Sequence, residues 1–148
     1  MIALIQRVRR AHVEAEGEVI GRIDAGLLAL VAVQPEDGAQ QVRRLLDRIL
    51  GYRVFADSAG RMNLSLSETG GGLLLVSQFT LAADTRKGMR ASFTTAAPPA
   101  LAERLFAHLL EQARARHTPV ASGRFGADMQ VALVNDGPVT LWIRVPPA

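Results

Sequence analysis

Ile2-Ala3-Leu4-Ile5-Gln6-Arg7-Val8 carries apolar residues in uneven alternation. The pattern resumes at Val13 and, after Glu16-Gly17-Glu18, returns as Val19-Ile20. Near-period-two alternation interrupted by a glycine turn predicts two strands joined by a hairpin. Leu27 to Val33 predicts a third strand. After Pro35-Glu36-Asp37 the period changes: Val42, Leu45, Leu46, Ile49 and Leu50 recur at three- and four-residue steps, one apolar stripe on a helix of about four turns. Glu36 and Asp37 read as its acidic first turn, where they suit the helix dipole.

Further along, Tyr52 to Phe55 reads as a strand and Asp57-Ser58-Ala59-Gly60 as a turn, while Leu73-Leu74-Leu75-Val76 reads as a buried strand introduced by Gly70-Gly71-Gly72. Pro98-Pro99 opens a second helix, since proline is tolerated in a first turn and not beyond it; Leu101, Leu105, His108 and Leu109 share its face. Met129 to Val134 and Val139 to Val145 predict two more strands, separated by the turn-formers Asn135-Asp136-Gly137-Pro138. Hairpins mixed with two principal helices predict the α+β class, with a mainly antiparallel, barrel-like sheet in a single domain over residues 1–148. Parallel strand pairs stay open.

Composition narrows the class of function. With 49% hydrophobic and 21% charged residues the chain lies in the globular range, and no run of about 18 apolar residues exists to span a bilayer. The start lacks the basic stretch and long apolar run of an export signal, so a cytoplasmic location is expected. Cys is absent, which excludes disulfides, thiolate metal sites and a cysteine nucleophile. The pI near 10.5 goes with a net charge of only +3, which permits a polyanionic partner without demanding one. Of 17 basic residues only Lys87 is a lysine, a bias that fits either phosphate recognition by guanidinium forks or a nucleotide-composition preference.

A conventional hydrolase shows an activated nucleophile, a base and an orienting group. The three histidines do not supply them: His12 falls in a strand pattern, His108 on a helix stripe and His117 near a helix end, all positions with structural readings. No Gly-x-Ser-x-Gly elbow occurs, and no His-x-x-x-His pair or carboxylate cluster has metal-ligand spacing. Gly70-Gly71-Gly72 precedes a strand rather than a helix and reads as a turn, not a phosphate cradle. Arg86, Lys87 and Arg90 surround Gly88 in a segment without periodicity, either a basic loop for nucleic-acid phosphates or a solvated loop. Ser77-Gln78-Phe79-Thr80-Leu81 puts polar side chains where an apolar strand ends, a common location for sites.

Taken together, Val76-Ser77-Gln78-Phe79-Thr80-Leu81, Ala83-Asp84-Thr85-Arg86-Lys87-Gly88 with Ser92-Phe93, and Gly123-Arg124-Phe125-Gly126-Ala127-Asp128-Met129 through Asn135-Asp136-Gly137-Pro138-Val139-Thr140 resemble the D-aminoacyl-tRNA deacylases. Gln6-Arg7-Val8 and Met62-Asn63-Leu64-Ser65 match as well, so the resemblance runs almost end to end. Ala82, Gln34-Pro35 and His12 depart from the family's habit, all outside the two signature runs.

The resemblance implies a homodimer with each active site at the subunit interface, the first motif from one chain and Gly137-Pro138 from its partner. It implies a cis bond between Gly137 and Pro138 whose carbonyls reject an L-aminoacyl ester, and tolerance of glycyl-tRNA, including glycine mischarged on tRNA-Ala. It gives Phe79 and Thr80 main-chain roles at the substrate, with Gln78 and Ser77 shaping the pocket. Arg7 becomes a brace for the Gly-Pro turn, Met129 a wall of the adenosine pocket, and Arg86, Lys87 and Asn135 contacts to substrate or tRNA. No metal or cofactor is implied. Because the bond is an activated ester, a positioned water, backbone amides and the RNA 2′-hydroxyl suffice chemically. Two other readings stay open: a Thr80-dependent esterase, and a non-catalytic tRNA-binding dimer.

Overall fold

A computed structural model describes residues 1–148. Its central strand, β1 (Ile2–Ala15), is long enough to hold three partners. One edge pairs antiparallel with β3 (Gly26–Ala32) over Ile2–Val8 and with β2 (Glu18–Ile23) over Ala11–Ala15. The other edge is covered along its whole length by β8 (Met129–Arg144), also antiparallel. β6 (Gly72–Ser77) runs parallel to β3, and β7 (Val120–Ser122) parallel to β6, so the sheet is mixed although antiparallel pairs dominate. β2 curls round to β7 closely enough that a Cβ on Gly21 would lie 2.6 Å from the Ser122 carbonyl oxygen, and the sheet nearly closes as a barrel. The α+β class, the barrel-like sheet and two principal helices, α1 (Ala39–Gly51) and α3 (Pro99–Arg116), agree with the sequence expectation.

The α1 stripe is the best example of sequence dictating packing. Val42, Leu45, Leu46, Ile49 and Leu50 are all buried, facing Leu105, Phe106, Leu109 and Ala113 of α3 and the sheet residues Ala3, Ile5, Leu27, Ala29, Leu73 and Leu75. On the opposite face of the same strands Leu28, Leu74 and Val76 join Val8, Val13 and Ile23 in a second cluster. β3 and β6 are therefore buried on both sides, which is why their sequences read as unbroken apolar runs instead of alternating ones. The second cluster is only partly roofed: Met129, Val131 and Leu133 of β8 pack on it while remaining half-buried.

Three local expectations are revised, and one short helix joins the elements. Met129 to Val134 and Val139 to Val145 are one strand, because both halves pair with β1 and Asn135-Asp136-Gly137-Pro138 bulges without reversing the chain. Asp37 precedes the N-cap Gly38 rather than lying in the first turn of α1; it is buried and accepts from the Met1 amino group at 2.7 Å and from the Gln34 amide at 2.7 Å. The strand expected at Tyr52–Phe55 is only β4 (Phe55–Ala56), paired with β5 (Met62–Leu64). A one-turn helix, α2 (Leu66–Thr69), starts on a reciprocal cap between Ser65 and Glu68, a Ser-x-x-Glu signature legible in sequence but unread. The three glycines after it have separate duties. Gly70 ends α2 at φ +70°, and Gly72 lies so close to Gly26 that a Cβ there would sit 1.9 Å from the Gly72 oxygen.

Candidate active site

β6 delivers its apolar run to the edge of the barrel, and the chain leaves it through Ser77 and Gln78 into a 3-10 turn, Phe79–Ala82. The Gln78 amide continues the ladder by donating to the Val31 carbonyl at 2.7 Å, which fixes where the turn begins. Beside this exit lies a cleft of about 440 Å³. Its lining combines Val76, Ser77, Gln78 and Phe79 with Met129 and Val131 of β8, Phe125 and the start of α3. No lining residue has a titratable side chain. The cleft thus offers main-chain groups, one hydroxyl, one carboxamide and apolar surface.

Four of the predicted site residues, Ser77, Gln78, Phe79 and Met129, meet here. Thr80 lies one step outside the lining, exposed, and its hydroxyl accepts from Gln78 Nε2 at 2.5 Å. That hydroxyl has no imidazole or carboxylate partner to activate it. The amides at the start of a 3-10 turn have no acceptor within the turn, which leaves those of Phe79, in the lining, and Thr80, just outside it, without a partner inside the turn. Phe79 is 56% exposed and packs against Phe93, ring centroids 5.1 Å apart and tilted by 58°. Unassigned from sequence were Phe125, Gly126 and Ala127, although they lie in the run Gly123–Met129 that carries the resemblance. Ala97, Pro99, Ala102 and Val131 had no signal beyond helix start and strand.

Gly137 and Pro138 do not line this cleft. They sit in the β8 bulge: between the pairs Gln6↔Thr140 and Val8↔Asn135, the single residue Arg7 of β1 faces Asp136, Gly137, Pro138 and Val139 of β8. The peptide bond between Gly137 and Pro138 is cis, and Gly137 has φ +128°. Arg7 holds the bulge, its Nε donating to the Asp136 carbonyl at 3.1 Å and its Nη1 to the Val54 carbonyl at 2.6 Å. Asn135 closes the neck: its Oδ1 accepts from the Val139 amide at 2.9 Å, while Nδ2 donates to Thr140 Oγ1 at 3.0 Å and the Val139 carbonyl at 3.3 Å. A side chain here replaces the ladder bonds that the extra residues break.

Arg86 and Lys87 lie in a different place, a notch of about 450 Å³ lined by Asp84, Arg86, Lys87, Arg90 and Ser92. Arg86 forks onto Asp84 through Nε at 2.9 Å and Nη2 at 2.7 Å. The hydrogen-bonded guanidinium brings the Asp84 carboxyl down to about 2, and Asp84 in turn raises Arg86. Elsewhere His12 is within 3.2 Å of Glu14, and His117 Nε2 meets the Gly71 carbonyl at 2.6 Å as the C-cap residue of α3. No three His, Asp or Glu side chains converge as a metal-holding group, and no helix is long and apolar enough to cross a membrane.

Fold and cleft together define a class: a nearly closed mixed barrel backed by two helices, with a pocket of main chain and apolar side chains where a triad or metal hydrolase would show titratable groups. The D-Tyr-tRNA(Tyr) deacylase family profile matches residues 4–144. Curated proteins named D-aminoacyl-tRNA deacylase match nearly end to end. The one from Pseudomonas putida strain F1 is 67% identical over 145 residues, covering 98% of this chain and 100% of the relative. That from Thioalkalivibrio sulfidiphilus is 67% identical over 147 residues, covering 99% of both, and that from Methylococcus capsulatus is 65% identical over 147, covering 99% of this chain and 96% of the relative. A solved structure titled c-Myc DNA Unwinding Element Binding Protein superposes with a TM-score of 0.94 at 38% identity over 99% of each chain. One described as a probable eukaryotic D-amino acid tRNA deacylase shares the fold with a TM-score of 0.81 at 18% identity, covering 96% of this chain and 97% of that one. The chain belongs to the D-aminoacyl-tRNA deacylase family, a family of hydrolases.

Proposed function

We propose that this chain, acting over 1–148 as one catalytic domain in the cytoplasm, hydrolyses the ester of D-aminoacyl-tRNA with its own backbone and the RNA as the chemical machinery. The observation that carries the reading is the cleft beside Phe79 and Thr80, whose lining has no titratable side chain. An aminoacyl ester is already activated, so the barrier left to lower is charge development on the carbonyl oxygen. Preorganised amides are suited to that, and one such donor contributes about 10²–10³ in rate. The amides of Phe79 and Thr80 take the oxyanion, Ser77 and Gln78 shape the wall beside the ester, and Met129 borders the terminal adenosine. The terminal 2′-hydroxyl of the RNA orients the attacking water.

In this reading the protein is a homodimer, and Gly137-Pro138 of one subunit completes the cleft of its partner. Support comes from the half-buried β8 residues Met129, Val131 and Leu133, which a second copy would roof, and from Phe79 and Trp142, exposed at 56% and 57%. The carbonyls of Gly137 and Pro138 then occupy the space an L side chain needs, with Arg7 and Asn135 holding the bulge in shape. Glycine, having no side chain, passes this filter, so glycyl-tRNA, including glycine mischarged on tRNA-Ala, is a substrate. Lys87, on the loop that Arg86 braces through Asp84, extends the surface with positive charge for RNA phosphates. Incubating the protein with D-Tyr-tRNA, L-Tyr-tRNA and Gly-tRNA is the test: release from D-Tyr-tRNA and Gly-tRNA with L-Tyr-tRNA intact is expected. Equal release of L-tyrosine would refute the carbonyl filter.

A further inference from the structure

The segment after the 3-10 turn is closed on itself by hydrogen bonds between its two ends and within it. Asp84 and Ser92 exchange backbone hydrogen bonds at 2.8 and 3.0 Å, closing a loop whose tip carries three cations against one carboxylate. Asp84 also accepts from the Arg86 amide at 3.0 Å, so the fork of Arg86 is consumed in holding the loop. Lys87 and Arg90 have no such partner: every ion pair within 4.0 Å elsewhere in the chain involves other residues. They border the notch with Ser92, and no lining residue is apolar. Ser92 leads directly into Phe93, 45% exposed, whose ring packs on Phe79 at the wall of the cleft. Cleft, aromatic pair and cationic notch are therefore consecutive along one surface.

We propose that this surface is a track for the single-stranded 3′ segment of the RNA, on the 5′ side of the nucleotide whose ester is cleaved. One unpaired base stacks on Phe93, and the phosphodiesters next to it lie on Lys87 and Arg90. Arg86 is a positioning residue that acts through Asp84. The inference rests on the reading that the aminoacylated nucleotide occupies the cleft beside Phe79. A single strand fits where a duplex does not, because stacking on a side chain needs an unstacked base. Aromatic platforms flanked by unpaired cations are how proteins hold single strands without reading their sequence. Charge complementarity favours RNA over a second copy of this chain, which would bring the same cations face to face.

The test compares D-Tyr-tRNA with D-tyrosyl-adenosine, which carries the same ester and terminal nucleoside but no upstream strand. Protein carrying both Lys87→Ala and Arg90→Ala should lose kcat/KM on the tRNA through KM, with a salt dependence shallower by about 1.4 in log–log slope, at about 0.7 per phosphate contact. Between 50 and 200 mM salt that amounts to about a sevenfold smaller loss than the wild type shows. Phe93→Leu should cost on the order of tenfold on the tRNA at any salt. Both variants should hydrolyse D-tyrosyl-adenosine within about twofold of wild type, which also certifies their folding. Equal losses on the two substrates, or an unchanged salt slope on the tRNA, would overturn the track. So would a change in sedimentation of Phe93→Leu, which would assign the rings to a subunit contact. Failure of the wild-type protein on both substrates would instead overturn the site reading beneath it.

Discussion

Replacing Gly137 with alanine isolates the conformation of the β8 bulge. At φ +128° an L side chain is strained, a cost of about 1–3 kcal/mol for such regions. The new Cβ would also lie 2.9 Å from Val139 Cγ2, 3.0 Å from Arg7 Nη2 and 3.1 Å from the Val139 amide nitrogen. The valine methyl and the guanidinium can shift; the backbone nitrogen cannot without opening the Asn135–Val139 bond of 2.9 Å. If Arg7 yields, its bonds to Asp136 and Val54 weaken, and charged hydrogen bonds of this kind contribute about 1.5–3 kcal/mol. Against this stands about 0.4–1 kcal/mol gained because alanine restricts the unfolded chain more than glycine does. The unfavourable terms win, for a net destabilisation of about 2–4 kcal/mol. Urea unfolding at matched protein concentration reads this directly: with a slope of about 1–3 kcal/mol/M, the midpoint should fall by roughly 1 M or more. An unchanged or raised midpoint would refute the account of the bulge.

Thr80→Ala should keep at least about a third of the deacylation rate, whereas loss of a covalent nucleophile costs on the order of 10⁴-fold or more; a collapse of that size would establish the Thr80-dependent esterase. Asp37→Ala should destabilise by about 3–5 kcal/mol in thermal or chemical unfolding, since it strands the buried Met1 amino group and leaves the Gln34 amide without its acceptor. The Asp84 carboxyl, followed by NMR, should titrate near 2 instead of its ordinary 3.8, and Arg86→Ala should move it back toward 3.8. Its native value is the depressed one, so whatever the Asp84–Arg86 pairing contributes is fully present above pH 3.8 and lost as pH falls through about 2.

Period alone revealed the elements whose burial is regular. The α1 stripe and the doubly buried β3 and β6 were legible because every apolar residue in them has a core to enter. Asn135-Asp136-Gly137-Pro138 was not, because the residues that make a reversal are also those that make a bulge. Only the pairing of both flanks with β1 distinguishes the two. Asp37 was misplaced for a related reason: dipole preference and a buried amine call for the same carboxylate at nearby positions, and Asp37 lies two residues before the first turn of α1. The wall Ser77–Phe79 was visible as polar residues ending an apolar strand, whereas Phe125 and Ala102 join it from distant segments and carry no local mark of doing so. Arg7 was expected beside the Gly-Pro turn, and it donates to the Asp136 and Val54 carbonyls.

The proposed enzyme leaves ester cleavage to backbone and RNA, and the reading of chirality to a bulge rather than to a catalytic side chain. Single-turnover deacylation of D-Tyr-tRNA and L-Tyr-tRNA by the same preparation, in chelator-treated buffer, tests it most directly. Rapid release of D-tyrosine is expected, with L-Tyr-tRNA left at its spontaneous hydrolysis rate. No release of D-tyrosine, or release of both enantiomers at one rate, would contradict it.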